Sequence, residues 1–282
     1  MTNATKHIAL VCPGGPITQD LAEKVVEIAA ARYGDRVKLH FHPQCFLTAG
    51  HFAGTDAERS AAFLDVANDP AYDAVWFGRG GYGACRLDNK LFSQLDDEAR
   101  RKTYLGYSDA GLILARLYQA GVGRPVHGPM PTDLPRKGGD AAITRALDYF
   151  LDQSADALEP TARTDKKTIA FNLTMLSHMV GADWMPDFKD HVIMVEDVGE
   201  YIYRIDRAMF TVTSDPKVRQ AAGIMLGRIS DIPENDRPFG ADEEEIARYW
   251  CKRANIPYLG RADIGHDADN KIVPFGASLT GA

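Results

Sequence analysis

The chain has 282 residues, room for two ordinary domains of roughly 150 residues each. With 45% hydrophobic and 25% charged residues it has a globular composition, which excludes disordered, collagen-like and coiled-coil classes. A net charge of −7, with no compensating basic run, argues against a nucleic-acid or membrane-surface partner, because phosphate binding needs a concentrated positive field.

In chain order, the first apolar stretch, residues 8–12, is closed at once by Pro13 and two glycines. It is too short for a secretory core or for a membrane span of roughly 20 residues. Residues 7–12, 36–41, 74–77, 103–107 and 124–127 read as strands. Helical periodicity fills the gaps: from Thr18 or Asp20 to Gly34, then 56–67, 88–101 and 112–117. Short apolar runs alternating with helices predict a parallel sheet with crossover helices. Three prolines interrupt residues 129–135, a polar glycine-rich hinge covers 137–140, and a helix follows over 140–152. The polar, aperiodic stretch 154–167 is read as the junction between domains 1–155 and 156–282. The second domain reads as a smaller α/β unit: helix 172–180, strand 191–195, helix 204–211, strand 223–226, a helix from Asp242 and a loop-rich tail. Cys12, Cys45, Cys85 and Cys251 form no CxxC pair and read as reduced thiols of a cytoplasmic protein.

Two junctions carry chemistry. Gly106-Tyr107-Ser108-Asp109-Ala110 falls where a strand ends and a helix begins. A nucleophilic serine needs such a sharp turn with small neighbours, and the N–H after it can face a developing oxyanion. The alternative is that Ser108 merely caps the next helix. Upstream, Gly78-Arg79-Gly80-Gly81-Tyr82-Gly83 follows the strand 74–77 and formally matches a dinucleotide fingerprint. Glu98, however, lies in a polar helical stretch instead of at the next strand end, so the match lacks its ribose ligand. Exposed amides here, on the sheet edge that also presents Ser108, would set donors beside a nucleophile.

A serine needs a base, and the base needs an orienting carboxylate. Glu196 ends the apolar run 191–195, where a carboxylate is costly unless paired, although a surface acid at a strand end is the plainer reading. His266 sits in a glycine-flanked loop near the chain end, able to present its ring. His40 and His42 share a strand face and could hold a metal with His51 or Cys45, but no carboxylate-rich or CxxC spacing accompanies them. His178 reads as a packing residue of its helix, and His127 as a residue that lines a site without reacting.

Arg79-Gly80-Gly81-Tyr82-Gly83, Gly106-Tyr107-Ser108-Asp109, His127-Gly128-Pro129-Met130, Glu196-Asp197-Val198-Gly199-Glu200, Tyr203-Arg204-Ile205-Asp206-Arg207 and Gly265-His266 stand in the order found in the LD-carboxypeptidase family of serine peptidases. The family also contains the microcin C immunity hydrolases, and the resemblance covers nearly the whole chain. It implies an N-terminal doubly wound domain, flavodoxin-like or like class I glutamine amidotransferases, a smaller C-terminal α/β domain, and an active site between them. It implies Ser108 as nucleophile, His266 as general base and Glu196 as its orienter, with the N–H groups of Asp109 and Gly81 as the oxyanion hole. It further implies hydrolysis of an amide between an L-centre and a terminal D-amino acid, as in murein tetrapeptide, with no metal or cofactor and with a homodimer as the assembly. A substrate ending in a carboxylate wants a guanidinium, so Arg79, Arg204 and Arg207, with Tyr82 beside them, are the expected substrate contacts. Two other functions fit part of the pattern. One is a microcin-type hydrolase of a peptidyl-nucleotide, whose base would stack on aromatics; the other is a non-catalytic small-ligand-binding α/β protein.

Overall fold

A computed structural model describes residues 4–276. Strands β1 (Lys6–Val11), β2 (Val37–Phe41), β3 (Ala74–Phe77), β4 (Thr103–Gly106) and β5 (Arg124–His127) pair in parallel in the order 2-1-3-4-5. That is the flavodoxin-like doubly wound order, in which the strand sequence reverses between β1 and β3 and ligands bind beyond the carboxyl ends. Both faces are covered, and β1 shows why. Ala9 and Val11 join the core beneath α2 (Asp56–Asn68) and α4 (Gly111–Gln119), while Ile8 and Leu10 join the opposite core with α1 (Gln19–Tyr33) and α5 (Gly139–Asp152). Val11, Ile8 and Leu10 each contribute about 1.5–3 kcal/mol by leaving water.

A second parallel sheet takes β6 (Lys167–Asn172), β7 (His191–Val198), β8 (Gly223–Ser230) and β9 (Tyr258–Arg261) in chain order. Helices α6 (Leu173–Met179), α7 (Ile202–Ser214) and α8 (Glu243–Ala254) accompany it. Residues Gly111 to Leu117 of α4 are buried without interruption, because this helix lies between the first sheet and the second unit. One apolar cluster therefore runs from Phe77 and Ile113 to Phe171, Ile193 and Leu226.

Three segments differ from the sequence reading. Residues 88–101 are not one helix: a 3₁₀ turn, Asn89–Gln94, stops before Asp96, whose carboxylate accepts from the Glu98 and Ala99 N–H groups and starts a new helix, α3 (Asp97–Arg101). Strand β6 lies just beyond the polar junction, and the tail read as loop holds β9 and β10 (Val273–Pro274). Strand β10 returns to the first sheet and pairs antiparallel with β5, Val273 opposite His127. Among the described residues, no helix is long and apolar enough to cross a membrane.

Candidate active site

The carboxyl ends of β1, β3, β4 and β5 open on a cavity of about 560 Å³ lined by Arg79, Gly80, Gly81, Ser108, Thr132, Arg136 and His266, among others. Ser108 has φ +58° in the turn after β4, a left-handed conformation that costs a non-glycine residue roughly 1–2 kcal/mol. Ser108 caps neither the 3₁₀ turn, whose N-cap is Tyr107, nor α4, whose N-cap is Ala110, so the helix-cap reading fails. The turn fits because its neighbours are small. A Cβ on Gly106 would lie 2.7 Å from the Phe77 ring, and one on Gly80 would lie 2.9 Å from Ser108 Cβ and 3.2 Å from its Oγ. Gly80→Ala is accordingly expected to push the hydroxyl aside, lowering kcat by about 10²-fold while the fold persists, as kinetics beside circular dichroism will show.

Asp109 ties the two junctions together. Its buried carboxylate accepts from the Ala84 N–H at 2.6 Å, so the residue following Ser108 holds the end of the glycine-rich loop. Burial raises the Asp109 pKa, and the N–H groups of Ala84 and Gly83 only partly offset it. From α2, the buried Arg59 donates to Gly83 O (2.9 Å) and to Pro13 O, fixing the loop from behind. The Gly81 N–H has no partner among the described residues and Gly81 lines the cavity.

Glu196 is fully buried on β7, where the β7–β8 register shifts between Val195 and Asp197. It projects on the face of Val192 and Met194, away from that of Ile193 and Val195. Its Oε2 lies 3.0 Å from His266 Nδ1, which places the ring proton on Nδ1 and leaves Nε2 as an acceptor. Burial alone would lower the His266 pKa, but the charge and hydrogen bond of Glu196 outweigh it and hold the imidazole above its ordinary value. Tyr107 packs against the His266 ring at 4.8 Å between centroids.

The loop carrying His266 is clamped at both sides. Arg228 on β8 donates to Asp267 (2.5 and 2.9 Å) and to Asp263 (2.8 Å), while Asn270 Oδ1 accepts from the Gly265 N–H and from His127 Nε2. His127 is buried behind the site, its pKa pushed down by burial to about 4, so it stays neutral. Removing the clamp as Arg228→Met leaves Asp263 and Asp267 without the guanidinium that bridges them. We expect kcat to fall by about 10–100-fold through misplacement of the imidazole, with KM changing much less.

The cavity thus gathers Ser108, His266, Gly80, Gly81 and Arg79, with Glu196 behind it. It does not gather Arg204 or Arg207. These stand on α7, whose apolar face of Ile202, Ile205 and Met209 packs inward, so both arginines line a separate cavity of about 360 Å³ with Thr174, His178 and Glu200. Arg204 pairs there with Glu200 at 3.3 Å, and His178, expected to be packed, is exposed. Tyr82 lies outside the catalytic cavity, 54% exposed against the rings of His51 and Phe52. Arg136 is the cation that the sequence reading missed, since an arginine in a proline-rich loop looks like any solvated charge.

The histidines weighed as metal ligands are engaged separately: His40 stacks on His7, His42 caps a turn through the Gln44 N–H, and Cys45 donates to Leu10 O. Among the described residues, no group of three His, Cys, Asp or Glu side chains is arranged for a metal.

A doubly wound α/β unit with a strained serine turn, facing a Glu–His pair from a second α/β unit, defines a serine-type hydrolase. Comparison with known families agrees: an LD-carboxypeptidase N-terminal domain profile matches residues 8–128 and the C-terminal domain profile residues 167–280. The chain belongs to the LD-carboxypeptidase family. A Synechocystis protein to which carboxypeptidase activity is ascribed is 32% identical over 237 residues, 81% of this chain and 76% of its own length. The murein tetrapeptide carboxypeptidase of Pseudomonas aeruginosa is 26% identical over 96% of this chain and 91% of its own. The crystal structure of muramoyltetrapeptide carboxypeptidase from Oxalobacter formigenes superposes with a TM-score of 0.79 at 25% identity, covering 95% of this chain and 93% of that one.

Proposed function

We propose that this protein is an LD-carboxypeptidase that removes the terminal D-Ala from murein tetrapeptide, cutting the amide on the L-centre of diaminopimelate through an acyl-enzyme. The observation that carries the reading is the Glu196–His266 hydrogen bond, set so that the imidazole and the Ser108 turn open on one cavity. Ser108 Oγ attacks the scissile carbonyl as His266 Nε2 takes its proton. The N–H groups of Asp109 and Gly81 receive the oxyanion. His266 returns the proton to the departing amine of D-Ala, and water, activated by the same imidazole, clears the acyl group. Every step uses side chains or amides of the chain itself, so no metal or cofactor enters it.

The relative and the solved structure whose names carry murein or muramoyl tetrapeptide support this substrate over a nucleotide conjugate. So does the cavity wall. No tryptophan lines it: Trp76 is buried in the core and donates to Pro129 O, while Trp184 and Trp250 pack around the apolar core. The reading takes the enzyme as a cytoplasmic homodimer acting on a small soluble peptide. Incubation with purified murein tetrapeptide should release one equivalent of D-Ala, in the presence of excess chelator as in its absence. Intact tetrapeptide after prolonged incubation with folded enzyme would refute it.

A further inference from the structure

The catalytic cavity is electrostatically at odds with the rest of the molecule. The chain carries a net charge of −7, yet the cavity wall holds two guanidinium groups, Arg79 and Arg136, and no Asp or Glu. With the carboxylates of Asp133 and Glu196 buried behind the wall, the guanidinium donors that face the cavity beside a nucleophile suit an anionic ligand.

The two arginines are held differently. Arg79 donates through Nη1 to Pro16 O at 3.0 Å, which spends half of its terminal fork on the protein. Arg136 is anchored through Nε, 3.2 Å from Asp133 Oδ1, and among the described residues its two terminal nitrogens have no partner. Asp133 is itself fixed. It is 1% exposed, its Oδ1 accepts from the Tyr107 hydroxyl at 2.6 Å and its Oδ2 from the Met130 N–H at 2.8 Å. Tyr107 precedes Ser108 in the chain and packs on the ring of His266. The anchor of Arg136 is therefore built on the residue that touches both reacting groups, so the span from guanidinium to nucleophile is set by packed side chains.

We infer that Arg136 is the specificity-determining residue of this enzyme: its free Nη1/Nη2 fork binds the terminal carboxylate of the peptide and sets cleavage one residue from the end. A planar fork meets a carboxylate with two parallel hydrogen bonds, geometry that a lysine ammonium does not reproduce. Arg79, with one terminal nitrogen already committed, contributes charge but not this register.

The inference rests on the carboxypeptidase reading, and the experiment separates the two. kcat/KM is measured for a matched pair of peptides, one ending in D-Ala with a free carboxylate and one in D-alaninamide, on wild type, Arg136→Gln, Arg136→Lys and Arg79→Gln. Wild type is expected to prefer the free acid by about 10²–10³-fold. Arg136→Gln should lose that preference almost entirely, the acid substrate falling about 10²–10³-fold further than the amide, and Arg136→Lys should recover only part of it. Arg79→Gln should weaken both substrates alike. If Arg136→Gln keeps the preference, or Arg79→Gln alone erases it, the assignment is overturned. Wild type cleaving acid and amide equally overturns it too, while leaving the serine-hydrolase reading intact; cleavage of neither peptide brings down both.

Discussion

Ser108→Ala is expected to lower kcat by about 10⁵–10⁶-fold while leaving peptide affinity close to wild type. The hydroxyl is the only atom removed, and the groups that line the cavity around it, including Arg79, Arg136 and the amides of the glycine-rich loop, stay in place. The effect on stability should be small, because alanine inherits the same left-handed backbone at φ +58° that serine already occupies. Ser108→Gly supplies the companion measurement. Glycine takes this conformation without the Cβ clash, so this variant should be equally inactive yet more stable by about 1 kcal/mol, a rise of about 2 °C in Tm. Wild-type turnover in either variant would dismiss Ser108 as the nucleophile. Inactivity without the stability gain would show that the strain at the turn is relieved by some other contact.

The second large effect belongs to Glu196→Gln, for which we expect a loss of about 10⁴-fold in kcat together with a displaced pH profile. An amide cannot hold the imidazole proton on Nδ1 as a carboxylate does, and its own N–H₂ would be left in a pocket where Glu196 Oε1 has no partner among the described residues. The sign of the pH shift follows from the groups around His266. Burial lowers its pKa, Glu196 raises it, Arg136 lowers it and Asp133 raises it, with the sum above the ordinary value. The base works only when neutral, so wild-type kcat/KM should fall as pH drops through a value above 6.5. Without the Glu196 carboxylate, burial and Arg136 dominate, and the acidic limb should move to lower pH. The neighbours do not confuse the reading: burial keeps His127 neutral, with a pKa of about 4, and pushes the Tyr107 hydroxyl well above its usual range. An acidic limb that stays where it was would mean that Glu196 does not govern His266.

Much of this arrangement was legible in the sequence, and unevenly so. The Ser108 turn could be read from local chemistry, because a strained serine needs small residues at fixed offsets and Gly106 and Ala110 supply them. Glu196 and His266 were separable from other acids and histidines mainly through the family resemblance, since nothing local says that a loop 70 positions downstream meets a given strand. Arg204 and Arg207 were expected at the site on charge alone, whereas the inward face of α7 decides where they point. Arg136 and the Arg228 clamp escaped notice for the same reason: their significance lies in tertiary partners, Asp133 in one case and Asp263 with Asp267 in the other. Strand β9 was missed because Tyr258–Arg261 is only partly buried and carries no apolar run, and β10 because two residues give no period and Pro274 reads as a breaker until β10 is seen to lie on the sheet edge.

The return of β10 to the edge of β5 has a consequence for how the enzyme is made. His266 hangs between β9, stitched into one sheet, and β10, stitched into the other, so its alignment is completed only when the late residues of the polypeptide dock onto a sheet begun near the amino terminus. Pairings of such long sequence separation form slowly. Until they do, β5 presents a bare row of amides and carbonyls that invites association with other nascent chains. A nick between Asp267 and Val273 would recreate that state in the mature protein, silencing catalysis and exposing an adhesive edge in a single event.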